Sequence, residues 1–175
     1  NNEYVLFVGN DGNRDYKKVF EIAQKMTKKK FIFKTKNKIL INSNLVNVEV
    51  IDGSWGSNDI SDLKLLEIYS KAKLVILPLL NTFQPSGQSV SLQSMSLGVP
   101  VMISLTDGFW DIEEFSNNKN IMFVENNSVD TWISKINNVF KDPMALQTIS
   151  KNAKDLVHAN YSLKKLNYFL AKQIG

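Results

Sequence analysis

The chain has 175 residues, 43% of them hydrophobic, with a formal net charge of +4 and no cysteine. That length suits one domain with a real core, and the absent cysteines exclude a disulfide framework and a thiolate metal site. The lysines are scattered apart from Lys28-Lys29-Lys30, so the mild basicity reads as solvated surface and not as a nucleic-acid groove, while suiting a phosphate-bearing ligand or an anionic membrane surface.

Tyr4 to Val8 reads as a first strand, followed by the turn Gly9-Asn10-Asp11-Gly12-Asn13-Arg14-Asp15. A helix from about Arg14 to Thr27 comes next, with Val19, Phe20, Ile22, Ala23 and Met26 at helical spacing. Phe31 to Phe33, Ile39 to Ile41 and Val46 to Ile51 are strand-like runs, the last ending at Asp52-Gly53. Ser61 is an N-cap for a helix reaching Lys71 whose inner face is expected to hold Leu63, Leu66 and Tyr69 or Ile68. Leu74 to Leu79 is a short apolar run bounded by Pro78, a buried strand. After the turn Asn81 to Ser86, a helix starting near Gly87 and capped by Ser86 or Ser89 is expected to turn Val90, Leu92 and Met95 or Leu97 inward. It ends at Gly98, a C′ glycine before Pro100, and Val101 to Ile103 and Ile121 to Val124 are two further strands. Two amphipathic stripes follow, Trp132-Ile133-Ile136-Val139-Phe140 and Met144-Leu146-Ile149-Ala153-Leu156-Val157, then a final helix from Ser162 to Lys172. Strands alternating with helices predict a three-layer Rossmann-like α/β domain with a parallel sheet of about six strands. No apolar run approaches the roughly 20 residues of a spanning helix, and no signal peptide is visible. A chain that opens at Asn1 and runs almost directly into a strand is expected to be a piece of a longer protein.

The chemistry concentrates where parallel strands end, because ligands of open α/β sheets bind at that edge. Free amides of Gly87, Gln88, Ser89 and Val90 at a helix N-terminus suit a phosphate, and a glycine there lets the backbone approach closely. The alternative is a plain capped helix. The first turn has the strand, glycine, helix layout of a phosphate loop without being G-x-G-x-x-G or a Walker sequence. Arg14 offers a planar fork for a diphosphate; its alternative is a surface partnership with Asp11 or Asp15. Trp55 stacks on a base or lids the core, Phe109 and Trp110 close on a ligand or simply pack, and the lone His158 reads as surface or packing.

Ser86-Gly87-Gln88-Ser89-Val90-Ser91-Leu92-Gln93-Ser94-Met95-Ser96-Leu97-Gly98-Val99-Pro100-Val101 resembles the signature of the C-terminal, donor-binding domain of GT-B glycosyltransferases of the large retaining family called group 1. Met95, Gly98, Pro100 and Val101 match its second half; Gln93 stands where the family has the glutamate that binds the ribose, and Pro85 falls where it has the glutamate that binds the transferred sugar. Gln93 keeps the donors and acceptors to bond a diol. The resemblance extends to Gly9 and Arg14 in the diphosphate loop, where Asp15 occupies a position at which the family often has lysine. It extends also to Gly53 before the loop that receives the base, near Ile60, and to Asp142-Pro143, Asn152-Ala153 and Tyr161-Ser162 towards the end. It implies a domain over 1–175 that binds a nucleotide-diphosphate sugar such as a UDP- or GDP-sugar, without cofactor or metal. The implied site is Gly9, Arg14, Gly53, Ser86, Gly87, Gln88, Ser89, Val90 and Gln93; catalytic residues are not assigned.

The likeness further implies a missing N-terminal domain that brings the acceptor, a glycan or lipid-linked sugar, in polysaccharide or cell-surface glycan synthesis. It implies a cytoplasmic enzyme with peripheral contact at the inner membrane face, the isolated piece being without turnover. Pro85 and Gln93 keep open a noncatalytic scaffolding relative. A dinucleotide-dependent oxidoreductase is disfavoured, because Gly9-Asn10-Asp11-Gly12 lacks a third glycine and no acid ends the second strand at Lys34-Thr35-Lys36.

Overall fold

In a computed structural model of the chain, the residues described are 4–52 and 61–162. Six strands form one sheet: β1 (Tyr4–Val8), β2 (Phe31–Thr35), β3 (Val48–Asp52), β4 (Ala72–Leu77), β5 (Val101–Ser104) and β6 (Met122–Val124). Six helices accompany them: α1 (Tyr16–Lys25), α2 (Lys38–Ile41), α3 (Asp62–Ser70), α4 (Gln88–Ser96), α5 (Val129–Lys141) and α6 (Pro143–Asn160). The spatial order is β3-β2-β1-β4-β5-β6 with every pairing parallel. The expected three-layer α/β architecture is therefore the one observed. The chain winds outward from β1 to β3, then returns to β4 and winds the other way, so the crevice between β1 and β4 is the switch point where such sheets bind ligands.

Alternation along each strand divides the core in two. Tyr4, Leu6, Val75, Leu77, Val101 and Ile103 face a layer made by α3, α4 and the end of α6, with Ile68, Tyr69, Met95, Ala153 and Val157. Val5, Phe7, Phe31, Phe33, Leu74 and Ile76 face the other, made by α1, α2, α5 and the start of α6, with Val19, Ile22, Leu40, Trp132, Ile136 and Leu146. Because helices cover both faces, β4 is apolar without interruption from Leu74 to Leu77, the pattern of a central parallel strand.

The expected run Ile39 to Ile41 is not a strand but the short helix α2. Asn37 caps it, its Oδ1 accepting from Ile39 N at 3.0 Å, and only Leu40 is buried while Ile39 and Ile41 point outward. In α3 the inward stripe is Leu65, Ile68 and Tyr69; Leu63 and Leu66 are exposed, one helical phase away from the expectation. In α4 the buried positions are Ser91, Ser94 and Met95, with Val90, Leu92 and Leu97 only partly covered. Positions 91, 94 and 95 share one face at 3.6 residues per turn, whereas 90, 92 and 97 do not. Met144 is 80% exposed at the start of α6, and the stripe begins instead at Leu146. The expected helix over Ser162 to Lys172 lies almost wholly beyond the described residues, as do Gly53, Trp55 and Ile60.

Gly98 ends α4 as expected, with φ +75° at C′. Its N–H bonds Met95 O at 2.9 Å and the Val99 N–H bonds Ser94 O at 3.0 Å, the paired bonds of a Schellman ending. Among the described residues no helix is long and apolar enough to cross a membrane.

Candidate functional site

Three loops meet at the carboxyl edge of β1, β4 and β5, and backbone hydrogen bonds stitch them together. Asp15 N–H donates to Pro78 O at 2.9 Å and Leu80 N–H to Asn13 O at 2.9 Å, flanking an isolated bridge between Arg14 and Leu79. On the other side Gly108 N–H donates to Thr82 O at 2.9 Å, Asn81 Nδ2 donates to Asp107 Oδ2 at 3.0 Å, and the Asp107 backbone N–H donates to Asn81 Oδ1 at 3.2 Å. A buried polar network fixes the middle loop where it leaves the sheet. Leu79 N–H donates to Ser104 Oγ (2.9 Å), Ser104 donates to Asn127 Oδ1 (2.9 Å), Asn127 Nδ2 returns to Leu79 O (2.8 Å), and Trp132 Nε1 also donates to Asn127 Oδ1 (2.8 Å). Ser128 caps the next helix, its Oγ accepting from Thr131 N–H; Asn127 and Ser104 are site-supporting residues that sequence reasoning missed.

At the centre lies Arg14, buried to 5% exposure. Its side chain passes over Gly9 so closely that a Cβ there would stand 2.7 Å from Nε, which is why this position has no side chain. Its Nε donates to Val8 O at 3.5 Å, and its Nη1 faces Asp11 Oδ2 at 3.1 Å and donates to Ser86 Oγ. Of the two expected alternatives to a ligand role, partnership with Asp11 is real, but the guanidinium is buried, not at the surface. Burial pulls the guanidinium below its ordinary pKa, while Asp11, then Tyr16 and Tyr69, act in the opposite direction.

Asp15, where a second cation was in question, instead caps α1: its Oδ1 accepts from Lys18 N–H at 3.0 Å and its Oδ2 pairs with Lys18 Nζ. The cap expected from Ser86 or Ser89 on α4 is absent. Gly87 is the N-cap, left-handed at φ +83°, and no side chain closes the helix start. Ser86 cannot serve, because its hydroxyl is held between Arg14 and Asp11. A Cβ on Gly87 would lie 3.0 Å from Ile103 Cδ1 and 3.3 Å from Leu77 Cδ1, so the chain turns flush against the sheet there. The first amides of α4, at Gln88, Ser89 and Val90, thus open at the switch point beside a buried guanidinium, with the helix dipole aimed the same way.

Gly9, Arg14, Ser86, Gly87 and the start of α4 therefore come together as the sequence analysis anticipates. Gln93 lies a little over one turn into α4, exposed, and Pro85 is exposed in the loop before it. Phe109 and Trp110 pack: their rings are 4.1 Å apart, and Phe109 meets Phe115 and Phe123 edge-on. His158 is exposed, near Ser96 O.

Beside Arg14 a hollow of about 470 Å³ opens between the first loop and the end of β2, lined by Asn10, Asp11, Tyr16, Lys36, Asn37 and Lys38 among others. Asn10 Oδ1 accepts from Lys36 N–H at 2.7 Å across it. The residues after β2, Asn37 and Lys38 among them, were not anticipated here, although neighbouring parallel strands necessarily bring their following loops together. Among the described residues no group of three histidine, aspartate or glutamate side chains is placed to hold a metal ion.

Comparison with solved structures finds this fold elsewhere. The C-terminal domain of a group 1 glycosyl transferase, LpcC from Francisella tularensis, superimposes with TM-score 0.69 at 16% identity, over 91% of this chain and 87% of that one. This is the fold of a GT-B C-terminal domain. A glycosyltransferase from Rickettsia africae matches at TM-score 0.76 and 15% identity over 99% of this chain, and Anabaena HepE in complex with UDP-glucose at 0.75 and 14% over 99%. This GT-B domain spans 48% and 49% of those two longer chains. Family models and curated protein sequences give no match.

Proposed function

We propose that this GT-B domain binds the diphosphate of a nucleotide-sugar donor at the β1/β4 switch point, and that the whole protein transfers the sugar to an acceptor hydroxyl. One observation carries the reading: a buried guanidinium and an uncapped helix N-terminus converge on the edge where such sheets bind ligands. The likeness to HepE, itself solved with UDP and with UDP-glucose, supports a uridine or related nucleotide. The amides from Gly87 to Val90 and the Arg14 fork stabilise negative charge growing on the diphosphate as the sugar leaves, the contribution that usually dominates such sites. Gln93 meets the ribose hydroxyls, and the loop that follows Gly53 receives the base. This chain is the C-terminal half of a two-domain enzyme; the other half brings a glycan or lipid-linked acceptor, in polysaccharide or cell-surface glycan synthesis. The enzyme works in the cytoplasm, at or near the inner membrane face, and this half alone has no turnover.

Pro85 and Gln93, where the resembling family carries acids, favour a second reading, a noncatalytic scaffold that keeps the fold. Calorimetric titration with UDP, GDP and ADP separates them. Selective binding of one nucleotide, weakened about tenfold by Gln93→Ala, is the expected result. Binding of none, with the N-terminal half also present, leaves the scaffold.

A further inference from the structure

The electrostatics of Arg14 are already closed by the chain itself. Its guanidinium, with a side chain only 4% exposed, faces a carboxylate that is 49% exposed, Asp11 Oδ2 at 3.1 Å. A buried cation without an anion is costly, so something negative must sit there whenever the domain is empty. Ser86 joins the pair to the helix start, accepting from Arg14 and donating towards both Asp11 oxygens at 3.4 Å. An incoming diphosphate would need the same guanidinium face and the same hydroxyl, and two anions within about 4 Å repel each other. Asp11 is free to yield where Arg14 is not. Arg14 is wedged over Gly9, whereas Asp11 borders the open hollow, and next to it a Cβ on Gly12 would meet nothing within 4 Å. The backbone of the loop is held independently of the carboxylate charge, by Tyr16 OH donating to Asp11 O at 2.7 Å.

We propose that Asp11 is a resident competitor: it occupies Arg14 in the empty domain and is displaced into the hollow by the diphosphate, so that it sets the affinity for the ligand. The proposal rests on the nucleotide-diphosphate reading above. Asp11→Asn is the discriminating variant, since an amide keeps the oxygen that accepts from Asn13 N–H at 2.9 Å and removes only the charge.

The test titrates wild type and Asp11→Asn with UDP, GDP and ADP and with uridine, guanosine and adenosine. The variant is expected to bind the preferred diphosphate at least tenfold more tightly, with nucleoside affinity changed less than twofold. Equal or weaker diphosphate binding overturns the proposal and leaves the donor-domain reading standing, as does a gain shared equally by the nucleoside. No nucleotide binding to either protein overturns both. Should the variant not fold, the carboxyl ¹³C signal of Asp11 in labelled wild type decides: it is expected to move on saturation with the nucleotide that binds, and an unmoved signal rejects displacement.

Discussion

Two glycines carry the site for different reasons, and substitution separates them. At Gly87 the backbone is left-handed and the space is filled by Ile103 and Leu77, so Gly87→Ala combines strain with a clash and should cost about 1–3 kcal/mol in urea unfolding. Gly9 is not left-handed; its constraint is the Arg14 side chain lying across it. Gly9→Ala should therefore displace the guanidinium and weaken diphosphate binding about tenfold or more in calorimetry, while Gly12→Ala, with open space around it, should shift stability by less than about 0.5 kcal/mol. A Gly9→Ala variant with unchanged nucleotide affinity would remove Arg14 from the site.

At the scale of elements, the end of β4 is positioned by a buried network and not by its own sequence. Asn127→Ala strips partners from Trp132 Nε1, Ser104 Oγ and Leu79 O together. It should lower the unfolding free energy by about 2–3 kcal/mol, and melting alongside a conservative surface change such as Asn126→Ala checks it. Such links explain what the sequence shows and what it hides. The strands β1, β4 and β5, the helix α4 with its C′ glycine and the site residues Gly9, Arg14 and Gly87 are legible because each has a local signature: an apolar run, a glycine where backbone must approach, a loop after a strand. Ile39 to Ile41 misleads because three consecutive apolar residues fit a strand and a single helical turn equally, and the deciding feature is the Asn37 cap. The pairing of Arg14 with Asp11 is legible as a neighbourly contact in the first turn, but the burial of the guanidinium is hidden for another reason. Arg14 leaves the surface because its bridge with Leu79 holds that loop against the end of β4, a contact between segments far apart in the chain.

For the whole molecule, the buried tyrosines set an alkaline limit. Tyr4 is 4% exposed, donates its hydroxyl to Ile68 O, and burial, with Glu49 and Glu67 adding to it, pushes its pKa from 10 up to about 12. Between those values the unfolded chain has lost the phenolic proton and the folded chain keeps it, so stability must fall as pH rises from 10 to 12. Thermal melting across that range should show the decline, and Tyr4→Phe should flatten it while lowering stability near neutrality by about 1 kcal/mol for the lost hydrogen bond. A decline of equal slope in the variant would assign the effect elsewhere, for which Tyr69, also raised by burial, is the next residue. Where the nucleotide sits on this fold decides the function proposed for it. Backbone amide chemical-shift mapping with UDP, GDP and ADP tests that most directly. One of the three should move the amides of Gly87, Gln88, Ser89 and Val90 and of the Gly9 to Arg14 loop far more than any others; shifts centred away from the β1/β4 edge would contradict the account.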